Sequence, residues 1–243
     1  MARQRGFEVA LRIVFVPVAL SARQLCFALR DLASRFPAFA NAIAEMGPPV
    51  PRVVAPGYGI LLRTILGQQV SVASATACFE KLDRVLGDVH DPQRILDATD
   101  ATLNACGLSR QKIRYARDLA GLVARGELDL ARLPRDDEEA IAALVQIKGV
   151  GRWSAEIYLL FAEGRPDVWP AGDLAIQVEL ARMLGLDARP SEEETRTLAE
   201  PWRPHRGAIA LLAWQHYEER ARVRRAAKAL AAENRSSRRA RPS

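Results

Sequence analysis

Two side chains that could take part in chemistry stand twenty residues apart in the segment from Leu144 to Asp173. Asp173 follows Pro170 and Gly172 at the start of an apolar run, and Trp153 comes just after a Gly-Val-Gly turn. A carboxylate can stabilise developing positive charge and can orient or deprotonate a water. An indole offers an electron-rich face to a cationic ring. Asp173 could equally be a helix N-cap and Trp153 a packing residue, so these positions alone leave both interpretations open.

The turn before Trp153 has the residue types of a hairpin between two helices. Apolar residues end one predicted helix near Ile147 and resume in the next, and the two glycines permit a tight turn and a close backbone approach. The second helix begins with N–H groups that lack intrahelical partners, and such an end attracts anions. A phosphate contact is one interpretation, and a purely structural helix corner is the other. The residues predicted to face the anion are Gly149, Gly151, Lys148, Arg152 and Ser154.

The remainder of the chain is predicted to be helices separated by caps and short turns. Ser21 to Gln24 and Ser191 to Glu194 have the spacing of a capping box. A long helical pattern runs from about Tyr58 to Leu86, with a bend expected near Gly67. The predicted fold is all-α, with two helical lobes flanking a cleft, and residues 13–18 are the one candidate strand. Further caps are predicted at Thr99, Ser109 and Asp136.

We divide the chain into three parts. Residues 1–51 are predicted to be a mostly helical segment that packs on the second lobe, and residues 52–219 form the main domain. The boundary between them lies in the Pro/Gly-rich connector from Gly47 to Gly57. Residues 220–243, rich in arginine, alanine and serine, are predicted to be a disordered basic tail.

Composition excludes several classes of protein. The 243 residues are 49% hydrophobic and carry a net charge of +6, which suits a polyanionic partner. The one apolar run near the N-terminus, Ile13 to Leu20, is too short to span a bilayer and only weakly resembles a signal peptide. Cys26, Cys78 and Cys106 lack the spacing of a zinc or iron-sulfur site and are expected to be buried free thiols. A monomer in the bacterial cytoplasm, associated with the nucleoid and not with a membrane, is expected.

The fuller pattern around the hairpin is more specific than its glycines. The run apolar-x-x-Ile-Lys-Gly-Val-Gly-Arg, followed by a Gly/Pro-rich loop and Asp173, resembles the helix-hairpin-helix (HhH-GPD) DNA glycosylase superfamily. The resemblance extends from about Tyr58 to Trp214, and the segments 65–72 and 107–113 support it. Within the superfamily, Gly-Arg-Trp-Ser-Ala and Leu-Gly-Gln-Gln-Val-Ser-Val are similar to the AlkA-type 3-methyladenine glycosylases.

This resemblance implies a monofunctional glycosylase of base excision repair that acts on double-stranded DNA. Such an enzyme flips an alkylated purine, of the 3-methyladenine or 7-methylguanine type, out of the duplex and hydrolyses its N-glycosidic bond. The resemblance assigns catalysis to Asp173 and a base pocket to Trp153, Trp214 and Tyr158. Trp153 stands where members that also cut the DNA backbone carry a lysine, so lyase chemistry is not expected.

The resemblance also implies a turn that enters the DNA and a bound cation. Gln69, beside Gln68, falls where AlkA-type enzymes fill the gap left by the flipped base, although the usual residue there is leucine. The absence of a four-cysteine cluster separates this chain from the branch with an iron-sulfur cluster, and no organic cofactor is expected. A structural Na⁺ or K⁺ would be held by the backbone carbonyls of Val145, Ile147 and Val150.

Two departures leave the substrate range open. Ile157 and Leu174 fall where aromatic pocket residues are expected. The alternatives to an alkylpurine glycosylase are a glycosylase for another class of damaged base and a helix-hairpin-helix protein that binds DNA structures without catalysis.

Overall fold

The computed structural model of the chain describes residues 20–51 and 56–239. These residues contain helices and no β-strand, which confirms the all-α prediction. The candidate strand at 13–18 and part of the 47–57 connector lie outside the described residues. Within the described ranges, no helix has the length and apolar character needed to cross a membrane. The helices are α1 (Ala22–Arg35), α2 (Pro37–Met46), α3 (Tyr58–Gly67), α4 (Val72–Leu86), α5 (Pro92–Asp97), α6 (Asp100–Ala105), α7 (Arg110–Ala124), α8 (Asp137–Leu144), α9 (Arg152–Phe161), α10 (Leu174–Leu184), α11 (Glu192–Ala199) and α12 (Arg206–Arg239), with a 3-10 helix at Glu200–Trp202.

Side-chain caps define where most of these helices begin. Ser21 and Ser191 form the predicted capping boxes with Gln24 and Glu194. Each cap satisfies an N–H that the first turn leaves without an intrahelical partner. The predicted caps at Thr99, Ser109 and Asp136 are confirmed, the capping role considered for Asp173 is present, and Ser71 and Asp91 are further caps.

The helices pack in two groups. Helices α3 to α9 form the first lobe, in which α7 packs against α3, α5 and α6. The second lobe contains α1 and α2 packed on α10 and α12. Its core includes a buried aromatic cluster, in which the Trp202 ring lies 5.0 Å from Phe39 and 5.6 Å from Trp169 in edge-on arrangements. At the junction of the lobes, Phe161 at the end of α9 packs on Trp214 of α12.

The predicted long helix from Tyr58 to Leu86 is wrong in one respect, because the chain breaks after Gly67 instead of bending. Gln68 is extended (φ −61°, ψ 127°) and Gln69 has a left-handed φ of 57°. The Val70 N–H donates to the Gly67 carbonyl at 3.4 Å, which completes a type II turn. Ser71 then caps α4, so two helices replace one.

Two further predictions are corrected. Residues 220–239, which were predicted to belong to a disordered tail, are helical, since α12 continues to Arg239. Alanine and arginine favour helix strongly, and pairs one turn apart, such as Arg222 with Glu219 at 2.6 Å, suit the same conformation. The three cysteines are free, but they are not all buried: Cys106 is buried, Cys78 is partly buried, and Cys26 is exposed on α1.

Candidate active site and nucleic-acid interface

Asp173 lies at the N-cap of α10, where its carboxylate is half-buried. Its Oδ1 accepts the backbone N–H groups of Ala175 at 2.8 Å and Ile176 at 3.1 Å. The Pro/Gly-rich loop before it turns at Pro170, whose carbonyl accepts the Asp173 N–H at 3.0 Å. The capping role considered from the sequence is therefore present, and it fixes the direction of the carboxylate.

Two indoles from different elements also donate to this carboxylate. Trp153 Nε1, on the first turn of α9, donates to Oδ2 at 2.9 Å, and Trp214 Nε1, on α12, donates to Oδ1 at 3.2 Å. Oδ1 thus accepts three hydrogen bonds and Oδ2 accepts one. Oδ2 therefore has acceptor capacity left for a ligand, and the indole beside it is 47% exposed. The structure therefore joins α9, α10 and α12 at one acidic group.

Of the predicted base-pocket residues, the structure brings Trp153 and Trp214 to Asp173 but not Tyr158. Trp214 is half-buried and packs on Phe161, with ring centroids 5.2 Å apart and planes inclined by 30°. Tyr158 is 3% exposed within the first-lobe core, and its hydroxyl accepts the Gly57 N–H at 3.0 Å. Burial raises the pKa of Tyr158 to about 12. Tyr158 is therefore part of the core beneath α9 and does not reach Asp173.

Gly149 and Gly151 of the hairpin differ in their conformation and surroundings. Gly149 has a φ of +85°, and a Cβ there would lie 2.2 Å from Cδ2 of Tyr115 on α7. Gly151 is the N-cap of α9, with no side-chain cap and no neighbouring atom within 4 Å of a Cβ built on it. Gly149 is therefore required by conformation and packing, whereas Gly151 leaves open space in front of the first N–H groups of α9.

The Gln68–Gln69 turn is anchored to the hairpin. Gln68 Nε2 donates to the Gly149 carbonyl at 2.6 Å, so this predicted DNA-contacting side chain bridges two loops. Gln69 is exposed at the tip of the type II turn, in a position that favours glycine or asparagine. A strained, exposed side chain beside a candidate site is an arrangement that occurs at functional positions.

Lys148 and Arg152, both predicted at the rim of the hairpin, differ in their surroundings. Lys148 is exposed, and its N–H and ammonium both reach Asp118, at 2.8 and 2.9 Å. Although partial burial opposes it, these hydrogen bonds hold the pKa of the Asp118 carboxyl below its usual range. Arg152 is bound by Glu138 and by Glu156, the latter at 3.0 Å, so its guanidinium has two carboxylate partners within the protein.

Glu156 was not predicted from the sequence, and it lies at the centre of an ion-pair network. Its carboxylate is 2% exposed and accepts from Arg152 of α9 and from Arg196 of α11, the latter at 3.2 Å. Burial raises the pKa of Glu156 even though the two arginines oppose the shift. Arg196 also pairs with Glu192, whose carboxylate lies against Gly172. The network links the start of the hairpin helix to the loop that carries Asp173.

The remaining predicted site groups belong to the hairpin backbone and its first helical turn. Ser154 is buried on α9. The Ile147 carbonyl accepts the Val150 N–H at 2.9 Å, which closes the turn and leaves one lone pair on that oxygen. Among the described residues, no cluster of three or more His, Cys, Asp or Glu side chains could hold a metal ion.

A family model described as HhH-GPD superfamily base excision DNA repair protein matches residues 62–204. This span includes the Gln68–Gln69 turn, the hairpin and Asp173. The chain belongs to the HhH-GPD superfamily. The assignment accounts for the all-α fold and for the glycine-rich hairpin that precedes the aspartate.

Proteins similar to this HhH-GPD chain are named DNA-3-methyladenine glycosylases. It is 27% identical over 169 residues to the putative DNA-3-methyladenine glycosylase YfjP of Bacillus subtilis, which covers 66% of this chain and 59% of that protein. It is 33% identical over 165 residues to DNA-3-methyladenine glycosylase 1 of Schizosaccharomyces pombe, covering 65% and 71%. The chain therefore matches less than two thirds of the length of YfjP.

The fold is also similar to solved structures. A complex of the Schizosaccharomyces pombe 3-methyladenine DNA glycosylase Mag1 with abasic DNA superimposes with a TM-score of 0.68 and 28% identity, covering 78% of this chain and 95% of that one. A DNA-3-methyladenine glycosidase of Bacillus halodurans superimposes with a TM-score of 0.73 at 24% identity, which shows a common fold.

Proposed function

We propose that this protein is a monofunctional DNA glycosylase that releases alkylated purines from double-stranded DNA. The observation that carries the proposal is the Asp173 carboxylate, held by the indoles of Trp153 and Trp214 in a chain of the HhH-GPD superfamily. The 3-methyladenine glycosylase names of its relatives support the choice of alkylated purines.

DNA binding is assigned to the hairpin. A phosphate fits in the open space before α9, where the backbone N–H groups and the helix dipole attract an anion, and such a contact positions the duplex without reading its sequence. The exposed Lys148 ammonium lies at the rim, where it would exchange its partner Asp118 for a phosphate. Backbone carbonyls such as that of Ile147 are suitable ligands for a Na⁺ or K⁺ that would stabilise the turn. The other ligands of this cation would be the backbone carbonyls of Val145 and Val150.

The reaction requires little acid catalysis because alkylation at N3 or N7 makes the base cationic. The glycosidic bond breaks with its electron pair on the departing base, which leaves positive charge on the sugar. Asp173 stabilises this charge through Oδ2 and accepts a proton from the water that adds to C1′. The exposed Trp153 ring offers a face to the cationic base, a contact worth about 0.5–2 kcal/mol.

Trp153 also predicts the absence of lyase activity. An indole cannot form the Schiff base that a lysine forms with the sugar. We expect methylated duplex DNA to acquire alkali-labile sites without direct nicks, and borohydride to trap no protein–DNA adduct. A covalent adduct would refute the monofunctional assignment. Tight binding to an abasic analogue without any base release would favour the non-catalytic alternative.

Gln69 is proposed to occupy the gap left by the flipped base. Substituting glycine suits the left-handed φ and is expected to leave the free energy of unfolding unchanged or about 1 kcal/mol higher. Base release from duplex DNA should nevertheless fall about tenfold, since the flipped state loses about 1.4 kcal/mol of support. Release from single-stranded DNA, where no stack is opened, serves as the control and should change little. Equal rates of base release from duplex DNA by Gln69→Gly and wild type would contradict the proposed role of Gln69.

The site of action would be chromosomal DNA in a bacterial cytoplasm, with the protein acting as a monomer. Oligomeric state is measurable by light scattering with and without DNA.

A further inference from the structure

Helix α7 runs beside the hairpin and is fixed to it by two contacts. The Tyr115 ring packs against Gly149, and Asp118 accepts from the N–H and ammonium of Lys148. A third contact, from Lys112 Nζ to the Leu66 carbonyl at 2.7 Å, ties the helix to the end of α3. One side of α7 is therefore held rigidly next to the proposed phosphate contact.

The solvent-facing side of α7 and the C-cap of this helix carry a row of arginines, which we call the α7 arginine face: Arg110, Arg114, Arg117 and Arg125. Two surface cavities of about 520 and 540 Å³ lie along it and share Arg114 and Arg117 in their walls. The second cavity also includes Arg125 and Lys148. The face thus extends from the start of α7 to Lys148 at the hairpin, and Asp100 and Asp118 also line the two cavities.

The charge of this face is only partly compensated. Arg117 donates to the carbonyls of Leu96 and Ala98 and to Asp100, and Arg125 pairs with Glu127 at 2.5 Å. Arg110 and Arg114 are exposed, and neither forms an ion pair within the described ranges 20–51 and 56–239.

We propose that the α7 arginine face binds backbone phosphates of the duplex beyond the stretch held by the hairpin. Arg110 and Arg114 lie on successive turns, about 6 Å apart along the helix axis, whereas one DNA strand carries a phosphate about every 3.4 Å. Because the strand also winds around the duplex axis, neighbouring phosphates are about 7 Å apart in space, so two adjacent phosphates fit these guanidinium groups. Guanidinium binds phosphate in a bidentate manner, and the contact carries no sequence information.

The proposal rests on DNA as the partner of this chain, and binding to undamaged duplex tests it independently of base release. Fluorescence anisotropy across a salt series gives both Kd and the slope of log K against log salt. For Arg110→Gln/Arg114→Gln we expect Kd to rise about tenfold and the slope to fall in magnitude by about 1 to 2, since each phosphate contact contributes about 0.9.

A matched double variant controls for net charge. Arg84→Gln/Arg132→Gln removes two exposed arginines, on α4 and in the α7–α8 loop, that line neither cavity, and should retain the wild-type slope. Melting temperatures check that both variants fold. Equal slopes in the two variants, or a slower excision rate at saturating DNA in Arg110→Gln/Arg114→Gln, would overturn the proposal. If Arg110→Gln/Arg114→Gln shows the expected fall in slope but the wild-type protein releases no base, the proposal for the α7 arginine face stands and the proposed function is contradicted.

Discussion

Replacing Asp173 with asparagine is expected to slow base release at least about 100-fold while DNA binding stays close to that of wild type. Asparagine is as good an N-cap as aspartate, so α10 should keep its start and the free energy of unfolding should change by less than about 1 kcal/mol. What is lost is the negative charge near the sugar. In addition, an amide NH₂ facing Trp153 or Trp214 would meet another donor.

Asp136→Asn is the matched control, because Asp136 also caps a helix, accepting the Glu139 N–H at 3.0 Å at the start of α8, whereas both indoles donate to Asp173. Single-turnover rates on methylated duplex, with Kd for an abasic analogue, separate catalysis from binding. Full activity of Asp173→Asn would remove the aspartate from the mechanism, and an equal loss in Asp136→Asn would mean that capping alone explains the effect.

The second large effect is expected when alanine replaces either hairpin glycine. At Gly149 the substitution should lower stability, and at Gly151 it should weaken DNA binding. At Gly149 the methyl group would need a left-handed φ and would overlap the Tyr115 ring at 2.2 Å. The free energy of unfolding should fall by about 2 kcal/mol or more. At Gly151 the φ of −88° suits alanine and no atom is near, so stability should stay within about 0.5 kcal/mol.

DNA binding should nevertheless weaken about tenfold in Gly151→Ala, because the methyl group occupies the space proposed for the phosphate. Thermal or denaturant unfolding, paired with Kd for undamaged duplex, distinguishes the two variants. The hairpin assignment would be contradicted if Gly151→Ala bound DNA as tightly as wild type while keeping its stability.

The sequence could predict those features that depend on residues close together in the chain. Capping boxes at Ser21 and Ser191 and the cap at Asp136 depend on residues three positions apart, and the structure contains all of them. The break after Gly67 was missed because Gln69 takes a turn position where glycine or asparagine is the usual signal.

Long-range partners account for the other differences. The spacing of Arg152 and Glu156 is one that allows an ion pair on a helix, so that contact could have been predicted. The pairing of Arg152 with Glu138 and of Glu156 with Arg196 joins separate helices, for which no local pattern exists. Tyr158 follows a residue expected near the pocket, but the helical turn directs its ring into the core.

The most direct test of the account is chromatography of the bases released from DNA methylated at many sites, comparing wild type with Asp173→Asn. We predict that wild type releases 3-methyladenine or 7-methylguanine and that Asp173→Asn releases neither at a comparable rate. Release of no methylated purine by a folded, DNA-binding wild-type protein would contradict the proposed function.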